Sequence, residues 1–423
     1  MTRDRGIDRR ARALAIAMLL VSTACSTAAA PSPIGTSAGT FPPTTSPTAS
    51  PSASPTASPS PSASPTPSVG EDWERVPDQP SLRNVQLYQV AWTGARFVGT
   101  GSDGQFLDST DGRTWNLQGQ SWPTGQVWGI AASARGAIAV GELDGRAASW
   151  HSSDGLKWTI APDDASLDAA SDAQIRMRGV TETDDGWLAV GEEDESCQIN
   201  CPAAARAVVW RSADGIHWTQ ERASRSLASA LMTGVTRGGP GYVAVGQSLP
   251  NPTSGVVWTS ADGLAWSRLA DGPVFHAPPG TDQTFGASMS AVTLGNAGTL
   301  VAVGTVGTQG DKGSALAWWS TDGRTWTAVK GDGFLNGQLF DVAATSRGFV
   351  ATGPSGADSC LGGIWTSTDG RSWICSADDP AFADFAAYSG AGSPDVEVVV
   401  GFGPPFSMPG GAPAASVWVR SAR

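Results

Sequence analysis

The sequence predicts an all-β domain, a seven-bladed β-propeller of four-stranded blades whose last blade is closed by the N-terminal strand. Three observations predict it. A stretch of the form Ser-x-Asp-Gly-x-x-Trp occurs six times. An apolar segment ending in Gly occurs seven times. The two ends of the folded part each carry one half of a missing seventh copy.

Each unit reads as a series of short strands. The first is an apolar segment: YQVAW, WGIAA, RGVTE, TGVTR, SAVTL, FDVAA and, in the last unit, FAAYS. The second is the Gly-ending segment: RFVGTG, AIAVG, WLAVG, YVAVG, LVAVG, FVATG and VEVVVG. The third is an apolar run that usually carries Trp two residues before the Ser of the motif (Trp150, Trp210, Trp258, Trp318 and Trp365). A fourth short strand follows the motif Trp. Short β-rich segments without helical periodicity, repeated along a chain, read as an array. The motif tryptophans are spaced 43, 60, 48, 60 and 47 residues apart, so the irregularity lies in inserted loops. Units of this length with four strands suggest propeller blades.

The ends reconcile six motifs with seven Gly-ending strands. The segment from Glu71 to Val76 (EDWERV) looks like the tail of a motif, and Ser416–Ser421 (SVWVRS) looks like the strand that precedes one. Pairing the strand around Trp73 with that around Trp418 completes a seventh blade. It also removes the free sheet edges of a linear stack.

The motif suits a tight hairpin turn. Its copies are Ser109, Asp111, Gly112 and Trp115; Ser152, Asp154, Gly155 and Trp158; Ser212, Asp214, Gly215 and Trp218; Ser260, Asp262, Gly263 and Trp266; Ser320, Asp322, Gly323 and Trp326; and Ser367, Asp369, Gly370 and Trp373. Asp accepts backbone N–H groups across a turn, Gly permits positive φ, and Trp supplies a large apolar wedge. The stretch resembles the Asp-box (BNR) repeat, Ser-x-Asp-x-Gly-x-Thr-Trp, with one residue fewer between Asp and Gly. The resemblance covers residues 70–423. It implies that the turn joins the third and fourth strands on the face away from the ligand, and that it is structural. No copy differs chemically from the rest, as a catalytic one would.

The propeller is expected at 70–423, behind two other segments. Residues 1–24 read as an export signal: Arg3, Arg5, Arg9, Arg10 and Arg12 precede the short apolar run Ala13–Val21, which is too short to span a bilayer. The signal ends in Val-Ser-Thr-Ala before Cys25, which resembles the lipobox of bacterial lipoproteins, with Ser22 where that family usually has Leu. The resemblance implies that Cys25 is lipidated and anchors the chain to the outer face of the cytoplasmic membrane. A plain secretory signal with an incidental cysteine is the alternative. Residues 26–69 are uncharged and dominated by Ser, Thr, Pro and Ala. Such a segment buries no core and reads as a stalk.

Of 27 Lys and Arg and 39 Asp and Glu, five Arg and two Asp fall in the signal and none in the stalk. The domain therefore holds 22 basic and 37 acidic residues, a net charge of −15. That balance argues against nucleic acid. Cys197, Cys201, Cys360 and Cys375 suit two local disulfides in an exported chain. The three histidines, His151, His217 and His276, lie at no ligand spacing from them, so no metal or cofactor is expected. A monomer is expected.

Function is expected on the face opposite the turns. The second-to-third loops are short at 102–105 and 142–146 and longer at 192–206, 247–255, 305–314, 354–363 and 402–415. The blade links at 160–175 and 268–288 are long as well. Glu192, Glu193, Asp194 and Glu195 open one loop as an acidic candidate for a cation or a basic partner, with an ordinary solvated loop as the alternative. Phe402 and Phe406 are candidates for an apolar contact, and Trp122 and Trp128 for stacking on a sugar, with core packing as the alternative.

Three function classes fit. A non-catalytic surface module binding a protein or a glycan comes first. A sialidase-like glycoside hydrolase is the alternative; that family's Arg-Ile-Pro segment is missing, and Tyr88, Tyr242 and Tyr388 lie in no recognisable nucleophile context. Two carboxylates acting together remain open for hydrolysis. An assembly or stability factor is the third, implied by resemblance to the seven-bladed Asp-box proteins of photosystem II assembly.

Overall fold

Alternating apolar residues in short runs build seven separate antiparallel sheets, each a four-stranded meander. The computed structural model describes residues 73–119, 125–169, 173–194, 205–221, 225–279, 286–306, 314–329, 337–354, 360–376, 382, 385–403 and 414–422. Cys25, Trp122, Glu195, Cys197, Cys201 and Phe406 lie outside them. Blade 2 is representative, with strands Gly125–Ser133, Gly136–Leu143, Arg146–Ser152 and Thr159–Ile160. The first strands of blades 1 to 7 begin at Leu87, Gly125, Gln174, Ala230, Ala287, Asp341 and Ala386. Neighbouring first strands touch all the way round, blade 7 against blade 1 included, so the sheets form a closed ring.

Seven hydrophobic clusters fill the seven gaps between blades. The third-strand tryptophans, Trp150, Trp210, Trp258, Trp318 and Trp365, are fully buried in them. Three of these indoles donate to one-turn helices in the preceding blade link: Trp210 to the Ser166 carbonyl at 2.9 Å, Trp258 to Ser226 and Trp318 to Val274 at 2.7 Å. Each side chain of this kind removes roughly 150–250 Å² from water; in blade 1 the buried Leu107 stands in the same place.

The repeated stretch folds as a hairpin turn between the third and fourth strands. In blade 5, Ser320 Oγ donates to Asp322 Oδ1 at 3.1 Å and accepts from the Gly323 N–H at 2.9 Å. Asp322 Oδ1 also accepts the N–H groups of Arg324 and Thr325 at 2.8 and 2.7 Å. The aspartate bonds recur at the other turns. Every turn glycine has positive φ. At Gly215 there is a second reason for glycine: an added Cβ would lie 2.1 Å from Ile138 Cδ1 of the preceding blade. The turn thus locks its own loop and seats it on its neighbour.

Closure follows the expected scheme. The strand Glu74–Arg75 pairs with Ala414–Ser421, Glu74 opposite Val419 and Arg75 opposite Trp418. The Val76 N–H extends the ladder to the Val417 carbonyl at 2.9 Å. Trp73 packs with Phe382, Phe385 and Trp418, and its indole donates to Ser376 Oγ of blade 6 at 3.1 Å. Arg420 lies over the Trp73 ring at 4.7 Å and pairs with Glu397; both partners of that pair are buried. Cys360 and Cys375 form a disulfide that ties the outer strand of blade 6, Ile374–Cys375, to the segment ahead of its third strand, Ile364–Ser367.

An antiparallel meander puts the first-to-second and third-to-fourth turns on one face. The second-to-third loops and blade links share the other. The chain enters at Trp73, beside Arg420 and the last residues, on the turn face.

Candidate functional site: the channel mouth

Where the seven blades must differ for function to be local, they do. In six blades the first strand carries a β-bulge near its start, with one extra residue opposite the second strand: Tyr88, Trp128, Arg178, Thr233, Ser290 and Tyr388. Phe340 holds the matching place in blade 6, just ahead of Asp341, and donates its N–H to the Thr352 carbonyl at 2.8 Å. A bulge re-aims a side chain, here at the loop-bearing end of the channel. The Gly-ending motif of the second strand explains itself at this point. A Cβ on Gly141 would lie 1.8 Å from the Gln126 carbonyl oxygen, beside the bulge. The terminal glycine therefore lets the first strand come close enough to bulge.

Read around the ring, the bulge residues form an asymmetric collar. Phe340, Tyr388, Tyr88, Trp128 and Arg178 make a continuous arc, and Thr233 and Ser290 complete it with small hydroxyl side chains. All seven are half-buried. Tyr88 and Tyr388 meet edge to face at 5.3 Å, and Phe340 lies 5.3 Å from Tyr388. Burial, with Tyr88 alongside, pushes the Tyr388 hydroxyl up to about 12. A central cavity of about 400 Å³ continues inward, lined by all seven first strands.

The collar holds one cation in a fixed pose. The Arg178 guanidinium lies 4.2 Å over the Trp128 ring. Its Nε and Nη2 both donate to Glu192 Oε1, at 2.9 and 2.6 Å. Glu192 is only 2 % exposed. Arg176 joins the network, at 3.4 Å from Glu192, 3.2 Å from Glu142 and 3.3 Å from Asp194. A carboxylate that buried is sustained only by such pairing. It fixes the arginine from behind, as outer-shell groups do in binding sites.

Asp341 is the one carboxylate among the described residues that line the cavity. Its Oδ2 accepts from Ser389 Oγ at 2.7 Å and from the Gly390 N–H at 3.3 Å, and its Oδ1 from the Val342 N–H at 2.8 Å. Ser389 Oγ in turn accepts the Val90 N–H at 3.2 Å. This chain bridges blades 6, 7 and 1. Desolvation nevertheless pushes the Asp341 carboxyl above its usual range.

Several expectations change in the structure. Glu192, Glu193 and Asp194 do not open a loop: they belong to the strand Trp187–Asp194. The reason is cross-strand pairing, Glu192 opposite Arg176 and Glu193 opposite Arg206, with which it forms an ion pair. Phe402 is buried rather than exposed. It lies in Val396–Gly403 and stacks on Tyr388 at 4.8 Å. In the last unit the first-strand segment is Tyr388–Gly392 (YSGAG), three residues beyond FAAYS, because Ser389 pairs with Val400. Trp128 lies in the collar. Tyr88 and Tyr388, far apart in sequence, are brought together there.

No family model matches the chain, and no curated protein matches it. Solved structures similar to it include YCF48 bound to D1 peptide, with 15% identity over 83% of this chain and 94% of that one and a TM-score of 0.48. YCF48 from Cyanidioschyzon merolae has 16% identity over 82% and 98%, with a TM-score of 0.47. The computationally designed Ika8 protein has 11% identity over 79% and 96%, with a TM-score of 0.43.

Proposed function

We propose that the protein is a non-catalytic binding module, tethered outside the cell by a lipid on Cys25, that engages a protein or glycan through the channel mouth. One observation carries the reading. The turn face repeats the same self-satisfied hairpin, whereas the collar position holds two Tyr, a Trp, a Phe, an Arg, a Thr and a Ser. The cavity adds support, since glycoside hydrolysis by an acid and a second carboxylate needs a pair about 5–10 Å apart, and Asp341 stands alone in the described lining.

A photo-crosslinking amino acid placed at Ser290, in the mouth, is expected to capture a partner on the native cell surface. The same group at Arg324, on the turn face, is the comparison. Adducts from position 324 alone would sink the reading. Cys25→Ala is expected to release the protein to the medium, and unchanged membrane retention would remove the lipid anchor from the proposal.

A further inference from the structure

We infer that the channel mouth takes the end of an uncharged oligosaccharide. This rests on the binding-module reading and names its ligand class.

The volume sets the scale. About 400 Å³ falls in the range of roughly 300–1,000 Å³ typical of small-ligand sites. It admits one or two sugar rings rather than a folded surface. The free polar groups set the chemistry. Gln89 and Ser290 line the cavity from blades 1 and 5, and among the described residues neither side chain has a hydrogen-bond partner. An amide and a hydroxyl can each donate and accept, as sugar hydroxyls do. A carboxylate or phosphate would use only half of that capacity. Arg178 adds a directed donor. With Nε and Nη2 held by Glu192, its Nη1 is left for a ligand oxygen.

The aromatic arc supplies the apolar half. Trp128 and Phe340 line the cavity, and Tyr88 and Tyr388 extend the surface between them. Rings of this kind offer a flat apolar contact at low entropic cost, which matches the C–H face of a pyranose. Charge decides against an acidic sugar. Three carboxylates, Glu142, Glu192 and Asp194, surround two cations, Arg176 and Arg178, and Asp341 lines the cavity from blade 6, within a domain of strong net negative charge. An anionic ligand would meet repulsion that a neutral one does not.

The test is calorimetric titration of the full chain in detergent with cellohexaose, chitohexaose and mannohexaose, and with hyaluronan hexamer as the acidic arm. We expect saturable binding of at least one neutral hexaose, at least about tenfold tighter than the acidic one. Ser290→Trp, which fills the channel, should abolish it, and Gln89→Ala should weaken it at least about fivefold. Near-UV circular dichroism checks that both variants keep the native fold, and Gln89→Ala carries the test if Ser290→Trp does not. No binding of any neutral hexaose, preference for the acidic one, or binding indifferent to both variants overturns the inference. If the hexaoses fail while position 290 still crosslinks a protein, the glycan class falls and the binding-module reading stands. If position 290 also captures nothing, both fall.

Discussion

Replacing Trp73 by Ala should weaken the whole ring rather than fray one end. Trp73 is 8 % exposed and packs against Trp418, Phe382 and Phe385. Truncating a buried Trp to Ala typically costs about 3–5 kcal/mol. The indole bond to Ser376 contributes about 1 kcal/mol more, and the Arg420 guanidinium over the ring about 1–2 kcal/mol. These contributions overlap, so a loss of about 5 kcal/mol is the working figure. It is a large part of the roughly 5–15 kcal/mol that holds most domains together. At roughly 2.1 cal/mol/K per residue, a domain of roughly 350 residues has an unfolding entropy near 0.7 kcal/mol/K. The midpoint should therefore fall by about 7 °C. The assay is thermal unfolding of the full chain, followed at once by far-UV and near-UV circular dichroism. A single transition shifted down by that amount is expected, because blades 6, 7 and 1 all lean on Trp73 or on the strand it begins. A shift below about 2 °C would refute the reasoning. So would a small early step that leaves the main transition in place.

Three further outcomes are expected. Glu397→Gln removes the buried carboxylate paired with the buried Arg420 guanidinium and should cost about 3–5 kcal/mol by urea denaturation; replacing both residues with Met and Leu should recover most of it. Gly141→Ala places a methyl group against a backbone carbonyl that cannot move aside, so it should cost at least about 2 kcal/mol and shift the Trp128 fluorescence. The third concerns acid. The N–H groups of Thr325 and Arg324 hold Asp322 down to about 2, and the other turn aspartates are lowered too. A depressed carboxylate contributes stability that is full above its unfolded value, near 3.9, and is lost as pH falls through its folded value. The midpoint should therefore hold down to about pH 4 and decline steeply between about pH 4 and 2. A decline already complete by pH 5 would point to other groups.

The ring was legible because its signals are local and repeated. The turn uses one aspartate, one glycine and one tryptophan in a fixed order, and each has a single physical task. Closure was legible because both halves of the missing unit retain a tryptophan, Trp73 and Trp418. The collar was half legible. YQVAW, WGIAA, RGVTE, TGVTR and SAVTL each begin on the bulge residue, and FDVAA on Phe340 in the matching place, yet nothing in one strand announces that its first residue will bulge. That follows from the partner glycine, which is thirteen residues downstream in blade 2. The last segment was misaligned because alanines fill Ala386 and Ala387, leaving no apolar contrast to set the register. Glu192 and Glu193 read as loop because two adjacent carboxylates in a strand need arginines opposite them. Arg176 and Arg206 meet them only through pairing across strands.

The entry point at Trp73 also has a mechanical meaning. A pull applied at Trp73 in line with the two-residue strand Glu74–Arg75 runs along its antiparallel neighbour Ala414–Ser421. Force in that direction loads the ladder bonds and the Trp73 wedge together, in shear, rather than peeling them one at a time. The joint that completes the ring is thus also the clasp that would carry any load on the chain ahead of it. Under tension it would yield as a unit, opening blade 7 before any other.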